Sequence, residues 1–371
     1  MSQILVTRSS MPPIEEYVDE ISSLWETHWL TNMGEKHQAL EKALQNFLEV
    51  NNVTLYTNGH SALECAFEAL QLGHDGRKKV ITTPFTFAST THAIVRKGLV
   101  PVFADIKAED YTIDPSSIEK LVDEDTCAIV PVHVYGNICD VESIQKIANK
   151  YNLKVIYDGA HAFGVKVNGR SVANFGDLTM FSFHATKVFN TIEGGALCFK
   201  DPSLKNVLNQ WKNFGITGPE TTEYIGGNAK MNEFCAAMGL CNLRHINEEI
   251  KKRRTIAERY WEELQGVKGI KLSIPPDNVK YNYAYLPIAV TDEYGMTRDD
   301  IFDALAKEDI HARKYFYPLT SNFECYAGRF DSGLTPIAQD IAARILTLPM
   351  YADLATEDVD RICKIIVRAL H

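Results

Sequence analysis

The sequence predicts an α/β protein. A mostly parallel central sheet is covered by helices, and a smaller C-terminal α+β domain follows. Three observations carry this expectation. Short apolar runs alternate with amphipathic segments from about residue 35 to residue 200, as in βαβ units with right-handed crossovers. The polar residues that punctuate this region follow the apolar runs, where ligands of parallel sheets bind. After about residue 245 the texture changes to one long charged helix and a mixture of short strands and helices.

Each element has a local reason. In "EKHQALEKALQNFLEV" (35–50), Leu40, Ala43, Leu44 and Phe47 recur at helical spacing. "VTLYT" is a β-rich run, and "NGHSALECAFEALQLG" reads as a turn feeding a helix that ends at Gly73. "KKVITTPFTF" is a strand leading into a loop, "ASTTHAIVRKG" a helix and "LVPVFADI" (99–106) a strand. "PSSIEKLVD" reads as a helix capped by Ser, followed by the strand "TCAIVPVHVYG". "DVESIQKIANKYN" puts Val141, Ile144, Ile147 and Ala148 on one side of a helix. "LKVIYDGAH", "DLTMFSFHATK" and "GALCFK" complete the strands. Beyond them come the helix "HINEEIKKRRTIAERYWEELQ", the β-like "IKLSI" and "YNYAYLPIAV", a helix over "TRDDIFDALAKEDI" and a last one over "TEDVDRICKIIVRAL". The expected division is a large domain over 1–245, with an N-terminal arm over about 1–30, and a small domain over 246–371. No Gly/Ser-rich linker marks the cut.

Bulk properties narrow the function. The 371 residues are 45% hydrophobic and 23% charged, an ordinary globular composition. A net charge of −10 argues against nucleic-acid binding as the main task. No apolar stretch is long enough to span a membrane. The opening "MSQILVTRSSMPPIEEYVDE" breaks the apolar core that a signal peptide needs. Eight scattered cysteines without a CxxC pair read as reduced thiols, so a cytoplasmic protein without a cysteine metal site is expected.

Chemistry concentrates at four places. Asp158 ends the apolar run "KVIYD", where a carboxylate is costly unless a cation or hydrogen bonds meet it; an N-cap or buried ion pair serves equally well. Lys187 follows another apolar run, among Ser182, His184 and Thr186 and before Glu193-Gly194-Gly195. A surface lysine is the ordinary reading of such a residue, but in these surroundings an amine can lose its proton and join to an aldehyde. Gly59-His60-Ser61, between strand and helix, can present free amides and a hydroxyl to an anion, or can be a simple cap. Phe85 and Phe87 leave a strand in "TTPFTFAST", where one ring can stack on a flat ligand or pack in the core. An amine, an acid and an anion turn are the three partners that pyridoxal 5'-phosphate requires.

The chain resembles the DegT/StrS-like sugar-nucleotide aminotransferases of fold-type I. The matching segments are "WLTNMG", "TNGHSAL", "TPFTFAST", "GLVPVFADI", "VIYDGAHAFG", "FSFHATKVFNTIEGG", "GGNAKMNEFCAAMGLCNL" and "YPLTSNFECY", in the family's order through nearly the whole chain. The resemblance implies pyridoxal 5'-phosphate as cofactor. It implies that Lys187 is the Schiff-base lysine and proton carrier, and that Asp158 pairs with the pyridinium nitrogen. Ser182 and the turn Gly59, His60 and Ser61 would hold the phosphate, and Phe87 would stack on the ring. His161 stands where many relatives carry Gln beside the phenolic oxygen, its tautomer open. Gly159 stands where Ala is usual and His60 where Thr is usual. Asn228 would reach the cofactor of the neighbouring subunit, which implies a homodimer with shared active sites.

The retained lysine favours transamination over the dehydration of a relative that carries histidine there. The opening segment most resembles the branch that makes dTDP-4-amino-4,6-dideoxy-D-glucose from dTDP-4-keto-6-deoxy-D-glucose with L-glutamate as donor, a setting of deoxyamino-sugar and O-antigen synthesis. Thr31, Asn32, His184, Arg313, Lys314 and Tyr317 are candidates for the substrate. The same chemistry on a 3-keto or a UDP- or GDP-linked sugar is an alternative, as is a pyridoxal-phosphate-binding regulator without turnover. A plain nucleotide binder would need a GxGxxG or GxxxxGK[ST] turn, and "TNGHSAL" is neither.

Overall fold

The computed structural model describes residues 3–368. Its centre is a seven-stranded sheet. β1 (Asn52–Tyr56), β2 (Lys79–Thr82), β3 (Val100–Phe103), β4 (Thr126–Val130) and β5 (Lys154–Asp158) come first. A small hairpin of β6 (Lys166–Val167) and β7 (Arg170–Ser171) precedes β8 (Leu178–Ser182) and β9 (Gly195–Phe199). The strand order is β1-β9-β8-β5-β4-β2-β3. β3, β2, β4, β5 and β8 pair in parallel, and β9 runs antiparallel to both β8 and β1. Every residue of β4 is buried, as expected of a strand covered on both faces.

Local chemistry trims several expected elements. The run 99–106 is a strand only over Val100–Phe103. The run after Thr126 stops at Val130 because Pro131 has no N–H to give the ladder. A single turn, Val134–Gly136, follows, with Tyr135 in the left-handed region at φ 58. The helix Pro115–Leu121 is capped by Asp114, not by a serine: Asp114 accepts from the Ser116 N–H at 2.9 Å, and Pro115 fits the first helical position. β8 ends at Ser182, and the chain loops out to Gly194, held by Phe183 N–H to Gly194 O at 2.8 Å and Thr191 N–H to Phe183 O at 2.9 Å. Lys187 rides on that loop.

The long helix is longer than its charge pattern suggested. It spans Glu233–Leu264 and starts at Asn232, whose side chain accepts from the Cys235 N–H at 2.9 Å. Residue 245, the expected domain boundary, lies inside this unbroken helix. Its first half packs Ala236 and Ile246 into the core under the sheet, where Leu40, Leu44 and Phe183 also lie. Its second half gives Ile256, Tyr260 and Leu264 to a separate core with Ile288, Leu346 and Ile362. That second core is built on an antiparallel sheet of β12 (Ile270–Leu272), β14 (Leu286–Val290) and β15 (Ile345–Leu348), after the β10–β11 hairpin (Ile216–Gly218, Thr221–Thr222) and with β13 (Val279–Lys280) paired to β6. The helices Arg298–Lys307 and Thr356–Arg368 cover it. The expected continuation of the last helix to Leu370 lies outside the described residues. The N-terminal residues join this half: Ile4 bridges to Ile310, and the Met350 N–H reaches Val6 O at 3.0 Å.

One glycine fixes how the helix Gly59–Ala69 meets the sheet. Gly195 opens β9 between Tyr56 and Ser182. A Cβ there would sit 2.6 Å from both the Asn58 carbonyl carbon and the Gly59 nitrogen. Gly195→Ala is therefore expected to cost about 2 kcal/mol or more in urea unfolding, because backbone and not a flexible side chain has to move. An unchanged midpoint would show that the turn yields freely.

Candidate active site

A cleft of about 540 Å³ lies at the carboxyl ends of β5 and β8. The sheet side supplies Asp158, His161, Ser182 and Lys187; the other wall comes from Val6, Thr7, Arg313, Tyr315 and Met350. A cavity of about 770 Å³ beside the helix Val141–Tyr151 is larger, but it contains none of these strand-end residues. The chemistry, not the volume, locates the site.

Asp158 is the last residue of β5 and is buried. Its Oδ2 accepts from Thr90 Oγ1 at 2.7 Å and its Oδ1 from the Ala160 N–H at 3.0 Å. Thr86 Oγ1, in the loop that precedes the helix Ala88–Arg96, lies 3.0 Å from Thr90 Oγ1. Burial raises the Asp158 pKa, while these two hydrogen bonds and the charge of Lys187 oppose that rise. Gly159 lies close under β8: a Cβ would stand 2.9 Å from Met180 O, so a side chain there requires the backbone to shift.

His161 has a defined tautomer. The Tyr135 N–H donates to its Nδ1 at 2.9 Å, so the neutral ring carries its proton on Nε2. Burial, and then the charge of Lys187, hold its pKa well below the ordinary value, which keeps the ring neutral. Phe316 lies parallel to it, with ring centroids 5.9 Å apart.

Lys187 Nζ donates to the Tyr285 hydroxyl at 3.2 Å. Nearby, His184 Nδ1 lies 2.8 Å from Thr186 Oγ1, and its Nε2 lies 3.7 Å from the Glu193 carboxylate. At the turn, Asn58 Oδ1 accepts from the Ser61 N–H at 2.8 Å. The Gly59 and His60 amides, in the first turn of the helix Gly59–Ala69, have no acceptor within that helix. Gly59 lets this turn press on β8: a Cβ would meet Met180 Sδ at 2.9 Å and Ser182 Cβ at 3.1 Å. His60 Nδ1 lies 3.0 Å from Ser89 Oγ. Of the two phenylalanines, Phe85 is fully buried, whereas Phe87 is 51% exposed and lines the cleft.

The remaining expected residues scatter. Arg313 lines the cleft, with its guanidinium 4.1 Å from the Tyr315 ring centroid. Lys314 turns away to pair with Asp299 at 2.6 Å. Tyr317 is exposed beside the Arg298 guanidinium, 4.9 Å from its ring centroid. Thr31, Asn32, Ser61 and Asn228 are outside the cleft lining. Thr90, Tyr135 and Tyr285 escaped the sequence reading. Thr90 sits on the helix Ala88–Arg96 within the hydroxyl-rich "ASTTH", a weak local hint of a polar face; Tyr135 and Tyr285 had no local signal.

The parallel sheet thus brings one amine and one buried acid to a common cleft, beside the start of the helix Gly59–Ala69. The chain belongs to the DegT/DnrJ/EryC1/StrS aminotransferase family, whose sequence profile matches residues 13–367. It is 41% identical to a dTDP-4-amino-4,6-dideoxy-D-glucose transaminase of Shigella dysenteriae over 97% of both chains. It is also 41% identical to an enzyme of the same name from Escherichia coli, over 98% of both. The fold superposes on the crystal structure of DesI in the presence of its TDP-sugar product with a TM-score of 0.94 at 30% identity, covering 100% of this chain and 93% of that one. Among the described residues no helix is long and apolar enough to cross a membrane.

The raised pKa of Asp158 has a measurable sign. The folded acid holds its proton more readily than the unfolded one, so its contribution to stability is present at low pH and is lost as pH rises through the folded pKa. In cofactor-free protein, the stability of Asp158→Asn minus that of wild type is therefore expected to fall between about pH 7 and about pH 4. Parallel stability curves for the two proteins would contradict a desolvated acid.

Proposed function

We propose that this enzyme uses pyridoxal 5'-phosphate to move an amino group from L-glutamate to a keto sugar nucleotide. The acceptor we favour is dTDP-4-keto-6-deoxy-D-glucose, giving dTDP-4-amino-4,6-dideoxy-D-glucose. The observation that carries the cofactor reading is the shared cleft of Lys187 and Asp158, with two first-turn amides at its edge. The donor set fits the cofactor's chemistry: an amine for an aldehyde, an acid for a ring nitrogen, amides and hydroxyls for a phosphate. The acceptor rests on the 41% identity to transaminases of that product, against 29% to a GDP-perosamine synthase of Vibrio cholerae. Eight free thiols, most of them buried, fit a cytoplasmic enzyme.

When bound, the cofactor supplies an aldehyde that joins to amines and a ring that draws off the electrons of a broken C–H bond. The protein does the rest. The Lys187 amine would take the proton from the donor's α-carbon and hold it at Nζ. Asp158 keeps a proton on the ring nitrogen; Thr90 and the Ala160 amide orient its carboxylate. His161 offers its Nε2–H to the phenolic oxygen and stays uncharged. The Gly59 and His60 amides and the Ser182 hydroxyl hold the phosphate, with Ser61 at the edge, and Phe87 covers one face of the ring. Arg313 and His184 meet the polar substrate, with Thr31, Asn32, Lys314 and Tyr317 reached from outside the cleft. Asn228 serves the cofactor of the second subunit of a homodimer.

Lys187→Ala is expected to melt like wild-type apoprotein while turnover drops by about a thousandfold or more, the loss of a positioned proton carrier. Near-normal turnover would remove Lys187 from its role. A panel of 3-keto and 4-keto sugars on dTDP, UDP and GDP, each with glutamate, identifies the acceptor; preference for a UDP or GDP sugar would overturn the dTDP assignment. Shared sites predict complementation. Mixed dimers of Lys187→Ala and Asn228→Asp chains contain one site with both residues intact. They should be more active than either parent; no gain on subunit exchange would argue against a contribution from the partner subunit.

A further inference from the structure

Lys187 is a half-buried amine in the cleft. Among the described residues it forms no ion pair, and both oxygens of Asp158 already accept hydrogen bonds, from Thr90 and Ala160. Its polar partner is a neutral phenol, the Tyr285 hydroxyl at 3.2 Å. That phenol is firmly held. Its ring lies 4.5 Å from the His161 ring, 5.8 Å from Tyr135 and 6.1 Å from Tyr315, centroid to centroid. Tyr285 also immediately precedes β14, so its backbone is anchored to the antiparallel sheet.

The choice of partner matters for an amine that must exchange protons. A carboxylate at hydrogen-bond distance stabilises the ammonium form and resists its deprotonation. A phenol hydroxyl both donates and accepts, so it can hold the amine in either protonation state. When the amine is neutral, one N–H can still reach the phenol oxygen, which leaves the nitrogen lone pair directed at a substrate carbon.

We infer that Tyr285 is a positioning residue for Lys187: its hydroxyl holds the free amine in the cleft, beside His161, through the stages in which that amine carries a proton. The inference rests on the role of Lys187 proposed above. Tyr285→Phe tests it, because the ring keeps its packing on His161 and only the hydroxyl is lost. The primary readout needs no cofactor. In apoprotein at fixed pH, trace acetylation with acetic anhydride, read by mass spectrometry, is expected to change at Lys187 about threefold or more, with the other lysines unchanged. In the holoenzyme, kcat is expected to fall about tenfold, with KM for both substrates within about twofold of wild type.

Unaltered Lys187 labelling overturns the contact, and altered labelling with unaltered kcat overturns its role in the reaction. Thermal melts of both proteins identify a folding defect. Should one appear, Tyr285→His, which restores a hydrogen-bonding group, must recover the Lys187 labelling rate toward wild type or the inference fails. Turnover surviving in Lys187→Ala would instead overturn the reading beneath, whatever the labelling at Tyr285→Phe shows.

Discussion

Asp158 is a carboxylate withdrawn from water at the end of a central strand, and the arrangement around it follows from the need to keep that charge satisfied. An isolated buried carboxylate is strongly unfavourable, so the chain must deliver donors to it. One comes from the helix Ala88–Arg96, which brings Thr90 across; another is the amide of Ala160, two residues on. The strand itself is pinned in parallel between β4 and β8. Gly159 then allows the chain to turn under Met180 without a clash. The acid, the loop that bears Lys187 and the turn at Gly59 are thus tied to one rigid sheet.

Among the described residues, polarity around the amine and the acid is arranged without direct ion pairing. His161 is neutral, with its proton fixed by a backbone amide; Lys187 meets a phenol; Asp158 meets a hydroxyl and an amide. The charge of Lys187 is still felt at Asp158, where it opposes the rise in pKa caused by burial. Such a site can accept a charged ring and phosphate without first breaking a salt bridge, which lowers the desolvation cost of binding. The free first-turn amides serve the same end, being dipoles already oriented before an anion arrives.

The two cores are joined by a helix that belongs to both. Glu233–Leu264 packs under the sheet with its first half and into the second core with its last turns. Residues 4–7 run along the second core, where Ile4 bridges to Ile310, and Val6 and Thr7 reach the cleft wall. Tyr285, at the start of β14, transmits the position of the second half to the lysine of the first.

How much of this was legible in the sequence depends on the range of the interaction. Period and punctuation determined the alternating strands and helices and the polar residues at strand ends, because these signals lie within a few residues of each other; the family, and the roles expected of Asp158, Lys187, Gly59 and Phe87, came from the resemblance of segments spread along the chain. Details set by one neighbour were misread where a competing cap was better placed, as with Asp114 over the serines. Contacts between distant segments left no local trace. The tautomer of His161 depends on an amide 26 residues away, the partner of Lys187 lies 98 residues further on, and Lys314 is drawn off by Asp299. The sequence by itself determined which groups are present and which strand ends carry them. Only the tertiary structure decided which of them touch, because hydrogen bonds and burial act over a few ångströms in space and take no account of separation along the chain.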